Sequence, residues 1–448
     1  MHGWSMVAAL AAAAGCGVQV DLGNVDTDEL GATEGNDEAG ASGDGPGATS
    51  MNDGMTDGED GSDGNPPDDP TDPPPPPEGS DAVDILFVVD NSGFMGAEQA
   101  KLAQSIGELT EPLRNAGIRF RLGITTTDVG NPWCQGSTPE AGNFVLSSCR
   151  ERQSDFVFDG AMQIDATQEA CLDVCALDSF DIDPSTVDGQ PAPAVRPWLE
   201  WTSAADNNTP GQAPSALLSC ALPMGIAGCG FEQPLEAMHR AIQRSSTVGE
   251  EQNGFIRDDA NLLVIFVTDE ADCSYNPEQE TIFLPDGDRV FWSDQDAPAP
   301  TSAVCWNAGV ECTGAGADLE CNPVDLAADG SPTTPDAAAM LPVSRYIDQL
   351  QAIQDAKIAG RVAVMGLVGR AIDGGFEYGN TGTPEFHHDF GVGPGCDFDD
   401  QRAVPPVRMR AVANAFASAP DDGLYSVCNG DYGPSLGAVA ATIISWND

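Results

Sequence analysis

The 448-residue sequence is poor in basic residues. It has 18 Lys plus Arg against 71 Asp plus Glu, which gives a formal net charge of −53 at pH 7. The first Lys or Arg along the chain is Lys101. Nucleic acids and anionic lipid headgroups are bound through clustered positive charge, so this composition excludes both as partners. It favours solubility and cation binding without specifying either.

The sequence also lacks an apolar run long enough to span a membrane. The N-terminal run MVAALAAAA covers residues 6–14, which is too short for a transmembrane helix but long enough for the core of a signal peptide. Small residues precede Cys16, and this arrangement resembles a bacterial lipobox. We therefore predict a signal peptide at 1–16 and acylation of Cys16. The alternative is a short buried Ala-rich helix.

Residues 17–80 contain almost no large apolar side chains. They are rich in Gly, Asp, Thr and Pro and end in DPPPPPEGS. Such a segment cannot bury enough surface to offset its ordering entropy, so we predict a disordered acidic linker. It would tether a folded part, residues 81–448, to a membrane.

The cysteine count supports export. Of 13 Cys, 12 remain after Cys16, and an even number in an exported chain predicts disulfide bonds. A zinc site is a poor alternative, because Cys171 and Cys175 have three residues between them and no second pair complements them. The sequence cannot fix the pairing, and a bond between neighbours such as Cys220 and Cys229 is a guess.

The folded part alternates apolar runs with amphipathic segments. Residues 83–89 and 261–267 are continuous apolar runs typical of strands buried on both faces. Between them, residues 97–116 place apolar side chains at helical spacing, and Gly117 is a plausible stop. Strands joined through helices predict an α/β fold with three layers and a mostly parallel central sheet flanked by helices.

Other segments complete this prediction. Further helices are expected at 232–245, near 341–357 and at 407–418, a strand at 361–369 and a short helix at 435–444. Three loop-rich insertions are expected at 129–227, 271–338 and 370–402, and we predict that disulfides stabilise them. Residues 154–160, SDFVFDG, are the predicted short edge strand.

Polar residues follow the two buried strands where each one ends. Asp90 and Ser92 come after the first strand in VDILFVVDNSGFM, and Asp269 comes after the second in NLLVIFVTDE. The carboxyl ends of parallel strands are where open α/β sheets bind ligands. The two segments together resemble von Willebrand factor A domains, whose metal-ion-dependent adhesion site begins Asp-x-Ser-x-Ser. Phe94 stands where the second Ser belongs.

The resemblance implies a Rossmann-like fold and a divalent cation, Mg²⁺ or alternatively Ca²⁺, held by Asp90, Ser92 and Asp269. In the family the ion keeps an open position for a carboxylate of the partner. The family's Thr ligand has no counterpart, and Glu232 is the candidate replacement. Glu232 could instead be a helix-start residue that favours the macrodipole. The whole site could also be vestigial, with these side chains only capping the turn.

Two further groups have competing interpretations. His387 and His388, beside Asp389, could suggest zinc, but adjacent His residues seldom reach one ion, so a surface loop is preferred. Trp198 and Trp201 could form an exposed contact patch, but we prefer a place in a small core of the first insertion.

These patterns predict a monomeric cell-envelope lipoprotein that binds a protein or glycan partner and touches the membrane only through its lipid anchor. The lipobox and the long linker resemble surface lipoproteins of myxobacteria-like Gram-negative bacteria, which implies the outer membrane or cell surface. No HExxH motif or phosphate-cradling loop occurs, and we do not expect an enzyme. The alternatives are an extracytoplasmic hydrolase with its site in the insertions, or a structural envelope protein without a ligand.

Overall fold

A computed structural model describes most of the predicted folded part. The described residues are 80–160, 163–203, 207–314, 319–379, 383–398, 401–417 and 422–446. The predicted signal peptide, Cys16 and nearly all of the predicted linker lie outside them. Within these ranges, no helix combines the length and the apolar character that crossing a membrane requires.

A six-stranded sheet forms the centre of the fold. Its strands are β1 (Ala82–Val89), β2 (Arg119–Thr126), β3 (Leu199–Trp201), β4 (Asn261–Val267), β5 (Val362–Val368) and β6 (Leu424–Ser426). The spatial order is β6-β5-β4-β1-β2-β3. Only β3 is antiparallel to its neighbour; the other pairs are parallel. The predicted α/β fold with a mostly parallel sheet is confirmed.

Helices cover both faces of this sheet. The helices of the described ranges are α1 (Gly96–Ser105), α2 (Gly107–Asn115), α3 (Pro214–Ala221), α4 (Pro234–Ser246), α5 (Ala303–Gly309), α6 (Val343–Ala356), α7 (Pro384–Phe390), α8 (Val407–Ala415) and α9 (Gly433–Ser445). Of these, α5 and α7 lie in the insertions and pack in separate clusters away from the sheet. Apolar residues of α1, α2, α3 and α9 share one core with alternate residues of β1 and β4. Those of α4, α6 and α8 share the second core with the other residues. Every residue of β1, β4 and β5 is buried, as continuous apolar runs predict.

The predicted helix after β1 is divided in two. The apolar face predicted from Leu102, Ile106, Leu109 and Leu113 is fully buried, but the helix is interrupted at Ile106. Gly117 follows with φ +75°, a left-handed conformation that glycine adopts without strain. This turn directs the chain into β2.

The predicted edge strand is wrong. Val157–Asp159, within SDFVFDG, pairs instead with Gln163–Asp165 in a separate hairpin. The edge strand is β3, in which Trp201 pairs with Phe120 of β2. Trp201 belongs to one core of the sheet and the fully buried Trp198 to the other. Both tryptophans are therefore buried core residues, as preferred, but they belong to the two cores of the sheet and not to a separate core of the first insertion.

The insertions contain short elements and six disulfides. Antiparallel hairpins pair residues of 157–165, 185–194, 310–323 and 396–403, and short 3₁₀ or π helices lie at Cys149–Glu151, Gln153–Phe156, Thr167–Leu172, Pro277–Phe283 and Pro335–Ala337. The disulfides are Cys134–Cys229, Cys149–Cys171, Cys175–Cys220, Cys273–Cys305, Cys312–Cys321 and Cys396–Cys428. The predicted disulfide bonding of all 12 Cys is confirmed. The guessed pair Cys220–Cys229 is wrong.

Candidate cation site

The sheet order places the candidate site at a topological switch point. β1 and β4 are adjacent and parallel, with Val89 opposite Val267 at their carboxyl ends. The strand after β1 in the sequence, β2, lies on one side of this pair, and the strand after β4, β5, lies on the other side. Crevices at such points are where doubly wound sheets bind ligands. Asp90 and Asp269 therefore follow neighbouring strands at one end of the sheet, as predicted.

Asp90 is fully buried and fixed by hydrogen bonds of its backbone and of both carboxyl oxygens. Its backbone N–H donates to the Val267 carbonyl at 2.9 Å. Its Oδ1 accepts the Ser92 N–H at 2.8 Å, and its Oδ2 accepts the Thr268 hydroxyl at 2.6 Å. Burial raises the pKa of the Asp90 carboxyl, and these hydrogen bonds act against that rise. The Asp90 side chain thus caps its own turn and links β1 to β4.

Gln99 ties this turn to the end of the first insertion. Its Nε2 donates to the carbonyls of Asp90 at 2.8 Å and Gly225 at 2.7 Å. Its Oε1 accepts the N–H groups of Met224 at 2.9 Å and Gly225 at 3.1 Å. The sequence carried a signal for this residue, because Gln99 lies three positions before Leu102 on the apolar face of the predicted helix. A polar residue on a buried face needs hydrogen-bond partners.

Glu232 is fully buried just before α4. The Thr127 hydroxyl donates to its Oε2, while its Oε1 has no hydrogen-bond partner. Burial raises the pKa of Glu232 well above its usual value, and the negative charge of Asp90 raises it further. The first turn of α4 is capped by other side chains, since the Leu235 N–H donates to Asp272 Oδ1 at 3.1 Å and the Glu236 N–H to Ser274 Oγ at 2.9 Å. The Glu232 carboxyl therefore makes no hydrogen bond to the start of the helix, and its side-chain partner is Thr127.

Asp269 is partly buried, and its Oδ1 also has no hydrogen-bond partner. Burial raises the pKa of the Asp269 carboxyl well above its usual value. The negative charges of Asp90, Glu270 and Glu98 raise this pKa further. Its carbonyl accepts the Val404 N–H at 2.7 Å, which brings the end of the third insertion against the site. The carboxyls at this edge thus oppose one another's ionisation.

The segment that joins the end of the first insertion to α4 covers the turn after Asp90. We call residues 224–233 the covering segment. Its Gly228 N–H donates to the Asn91 carbonyl at 2.9 Å, and a Cβ at Gly228 would overlap the Asn91 side chain. Its Cys229 N–H donates to Asp128 Oδ2, at the end of β2, at 3.1 Å. Asp90, Ser92 and Glu232 are consequently screened from solvent, whereas Phe94 remains 42% exposed.

The donors at this edge are all oxygens. No three His, Cys, Asp or Glu side chains in the described ranges converge closely enough to hold an ion by themselves. Mg²⁺ is commonly held by one or two carboxylates, with waters completing its shell. Asp90, with the Ser92 and Thr268 hydroxyls nearby, fits that kind of site. Within the described part of the chain, no Lys or Arg forms an ion pair with Asp90, Glu232 or Asp269.

The other candidate residues do not join this site. His387 and His388 are exposed on the short helix α7, where His388 Nδ1 lies 2.9 Å from Asp389 Oδ1. Their position on the surface agrees with the preferred interpretation, although they lie on a helix and not on a loop.

The spacing GPSLG at 433–437 matches the pattern GxSxG of a nucleophile elbow. Its Ser435 is buried inside α9. β6 ends at Ser426, so this serine does not lie on a sharp strand-to-helix turn. The match in sequence therefore lacks the geometry that the motif requires.

Comparison with known proteins gives little further information. No protein-family model and no curated protein matches the chain. Among solved structures, it matches the pilus adhesin SpaC from Lactobacillus rhamnosus GG in its open conformation, with 11% identity and a TM-score of 0.32. A second structure of the same adhesin gives 12% identity and a TM-score of 0.28. Each match covers 81% of this chain and 30% of the adhesin. At these values the likeness carries no argument about function.

Proposed function

We propose that this chain is an exported binding protein whose partner-binding face is the carboxyl edge of the sheet with its three insertions. A hydrated divalent cation beside Asp90 would organise that face. The observation that carries the proposal is the fully buried Glu232 carboxyl, which has one oxygen unpaired and whose pKa the charge of Asp90 raises further. The finer proposal is a von Willebrand factor A-like envelope lipoprotein, anchored through Cys16, that binds a protein or glycan.

The physical argument for a cation is the cost of the buried carboxyls. A buried carboxylate without a partner is strongly destabilising, and carboxylates that face one another add repulsion. Protons or a cation can remove that cost. Mg²⁺ is our first choice and Ca²⁺ the second, because the donors are hard oxygens. Asp90 would hold the ion with waters, Ser92 would complete the turn, and Asp269 and Glu232 would accept hydrogen bonds from those waters or bind the ion directly.

Burial supports an organising role for this ion. Asp90 and Ser92 are buried, and the covering segment, which includes the buried Glu232, packs against the turn between them. A carboxylate of a partner would therefore have little access to an ion held by Asp90. This differs from the open coordination position that the family resemblance implies. The partner would contact the exposed surfaces of the insertions and Phe94.

The disulfides support export. Cysteine pairs persist in oxidising compartments and are rare in the cytosol, and all 12 cysteines of the described ranges are paired. A cell-envelope location, on the outer membrane or the surface of a Gram-negative bacterium, agrees with this chemistry.

Calorimetric titration of the EDTA-treated chain with Mg²⁺ and Ca²⁺ tests the cation. We expect weak binding, with a Kd on the order of 10⁻⁴ to 10⁻³ M, because few protein ligands hold the ion. Asp90→Ala and Asp269→Ala should abolish the binding heat. Asp329→Ala is the control, because Asp329 is exposed and only caps its own turn with Ser331. Absence of binding heat in the unaltered chain would remove the cation from the proposal.

A second assay tests the partner-binding face. The chain is applied to a glycan array and to immobilised envelope proteins, with Mg²⁺ or with EDTA. Phe94→Ala should reduce retention, while Ile358→Ala should not, because Ile358 is 78% exposed at the opposite, amino end of β5. Equal retention of both variants would show that the face lies elsewhere.

A further inference from the structure

Arg196 is a buried cation without an ion pair. It lies just before β3 and is 4% exposed. Its Nη1 donates to Gln190 Oε1 at 3.1 Å, while its Nε and Nη2 have no hydrogen-bond partner. Over the residues that the structure describes, no carboxylate lies within ion-pair distance of its guanidinium. A positive charge is therefore buried without local compensation.

Further unpaired donors lie close to Arg196 in the fold. The Arg196 Cζ is 5.7 Å from the ring centroid of Trp198, which is fully buried and whose Nε1–H has no partner. The buried Ser185 hydroxyl is also unpaired. Ser185 pairs across its hairpin with Ala194, two residues before Arg196. The unpaired groups of the Arg196 and Trp198 side chains are all hydrogen-bond donors, and an anion can accept hydrogen bonds from each of them.

Stacking on a tryptophan does not by itself leave an arginine unpaired. Arg289 lies 4.7 Å from the ring centroid of Trp292, yet its guanidinium donates to the carbonyls of Pro285, Gln295 and Ala297. Arg121 lies 5.6 Å from the Trp198 centroid and forms an ion pair with Glu200 at 3.0 Å. Arg196 differs from both because it lacks a carboxylate and most of its hydrogen bonds.

The missing partner must supply charge as well as acceptors. A buried charge without a partner costs several kcal/mol, even after relaxation. A water could accept the N–H bonds but would not neutralise the charge. The net charge of −53 does not replace a local partner, because exposed charges are screened beyond about 8 Å at physiological ionic strength.

We infer that Arg196 and Trp198 hold a small inorganic anion, which is chloride when the protein is outside the cytoplasm. Their near-complete burial leaves no surface for a larger ligand. The anion would fix the 185–194 hairpin to the sheet edge, where Val187, Trp198 and Phe255 share a core. This inference is independent of the proposed function, because it concerns a buried arginine beside the edge strand β3 and not the carboxyl groups that follow β1 and β4.

Thermal unfolding of the full chain tests the site. We compare sodium chloride with sodium gluconate at equal ionic strength. Chloride should raise the Tm by about 2 to 4 °C, because a ligand that binds only the folded state stabilises it. Arg196→Met should lose this difference. Arg289→Met, which removes a guanidinium also stacked on a tryptophan, should keep it.

A crystal soaked in bromide provides a direct readout in the unaltered chain, so the test survives if Arg196→Met fails to fold. We expect an anomalous peak beside Arg196 Nη2 and Trp198 Nε1. Trp198→Phe should raise the chloride concentration that gives half of the Tm increase by about tenfold, since a hydrogen bond to a charged group is lost. No peak, together with equal Tm values in the two salts, would show that only water occupies the site and would overturn the inference.

Discussion

Two glutamates show how the environment of a residue decides its chemistry. Glu232 and Glu140 each accept a hydrogen bond from a threonine hydroxyl that lies on or just after β2, Thr127 and Thr126 respectively. Burial raises the pKa of both carboxyls, but only Glu232 is fully buried and has the charge of Asp90 as its next largest cause. Glu232 should therefore be the more costly of the two to ionise in the folded protein.

We predict that Glu232→Gln stabilises the cation-free protein. The amide has nearly the same shape and can still accept the Thr127 hydrogen bond, but it removes a buried negative charge. We expect a gain on the order of 1 kcal/mol in the free energy of unfolding at pH 8, measured by urea denaturation in EDTA. Glu140→Gln is the matched control and should change stability less. A loss of stability in Glu232→Gln would mean that the carboxylate has a favourable partner.

At the scale of elements, the covering segment connects the insertions to the strand ends. Gln99 holds it at Gly225, Asp128 holds it at Cys229, and the Cys273 N–H donates to the Glu232 carbonyl at 2.6 Å. The disulfide Cys134–Cys229 fixes it covalently to the start of the first insertion. The position of Glu232 thus depends on contacts with several elements that are distant in sequence.

We predict that loss of this disulfide affects both stability and the cation. Cys134→Ser with Cys229→Ser opens a loop with a sequence separation of 95, and chain entropy suggests a cost of about 4 to 5 kcal/mol. Cation binding should weaken as well, because Glu232 lies three residues from Cys229. The control pair Cys312–Cys321 has a separation of 9; its removal should cost about 2.5 kcal/mol and leave the calorimetric titration unchanged. Equal effects on cation binding would contradict the link between this disulfide and the site.

The elements that sequence could predict are those buried on both faces. β1, β4 and β5 are continuous apolar runs and were predicted, and so was the buried face of α1 and α2. β3 and β6 have three residues each, which is too short for a periodicity to appear. Their positions depend on tertiary packing, such as Trp201 against Phe120. The disulfide pairs and the covering segment likewise depend on contacts distant in sequence, so Gln99 was missed and Cys220 was paired wrongly.

At the scale of the whole molecule, a few of the basic residues serve as partners of buried carboxylates. Buried ion pairs join Arg257 to Asp84 at 2.7 Å and Arg408 to Asp272 at 2.9 Å. The carboxyls around Asp90 form no such pair within the described ranges. Carboxyl groups without a basic partner therefore lie inside the fold as well as on its surface, at the edge of the sheet where the candidate cation site lies.

This distribution predicts an unusual dependence of stability on pH. Burial raises the folded-state pKa of Asp90, Glu232 and Asp269. Their contribution to stability is therefore fully present below the unfolded-state carboxyl pKa of about 4 and is lost as pH rises through the raised folded-state values. His239 acts in the opposite direction, because burial lowers its pKa and its contribution is lost as pH falls below about 6.5.

We therefore predict that the EDTA-treated protein, in a His239→Gln background that removes the opposing contribution of this histidine, loses stability as pH is raised from 5 to 8, below the range in which the lowered pKa of Lys357 also acts in the opposite direction. Mg²⁺ should remove most of that loss, because a cation compensates the ionised carboxyls. Sodium gluconate at equal ionic strength should not, since buried charges are little screened by salt. Urea denaturation monitored by tryptophan fluorescence measures each condition. A stability that instead rises steadily towards pH 8 without a divalent cation would mean that these carboxylates are already compensated within the fold, and it would remove the electrostatic reason for a cation at Asp90.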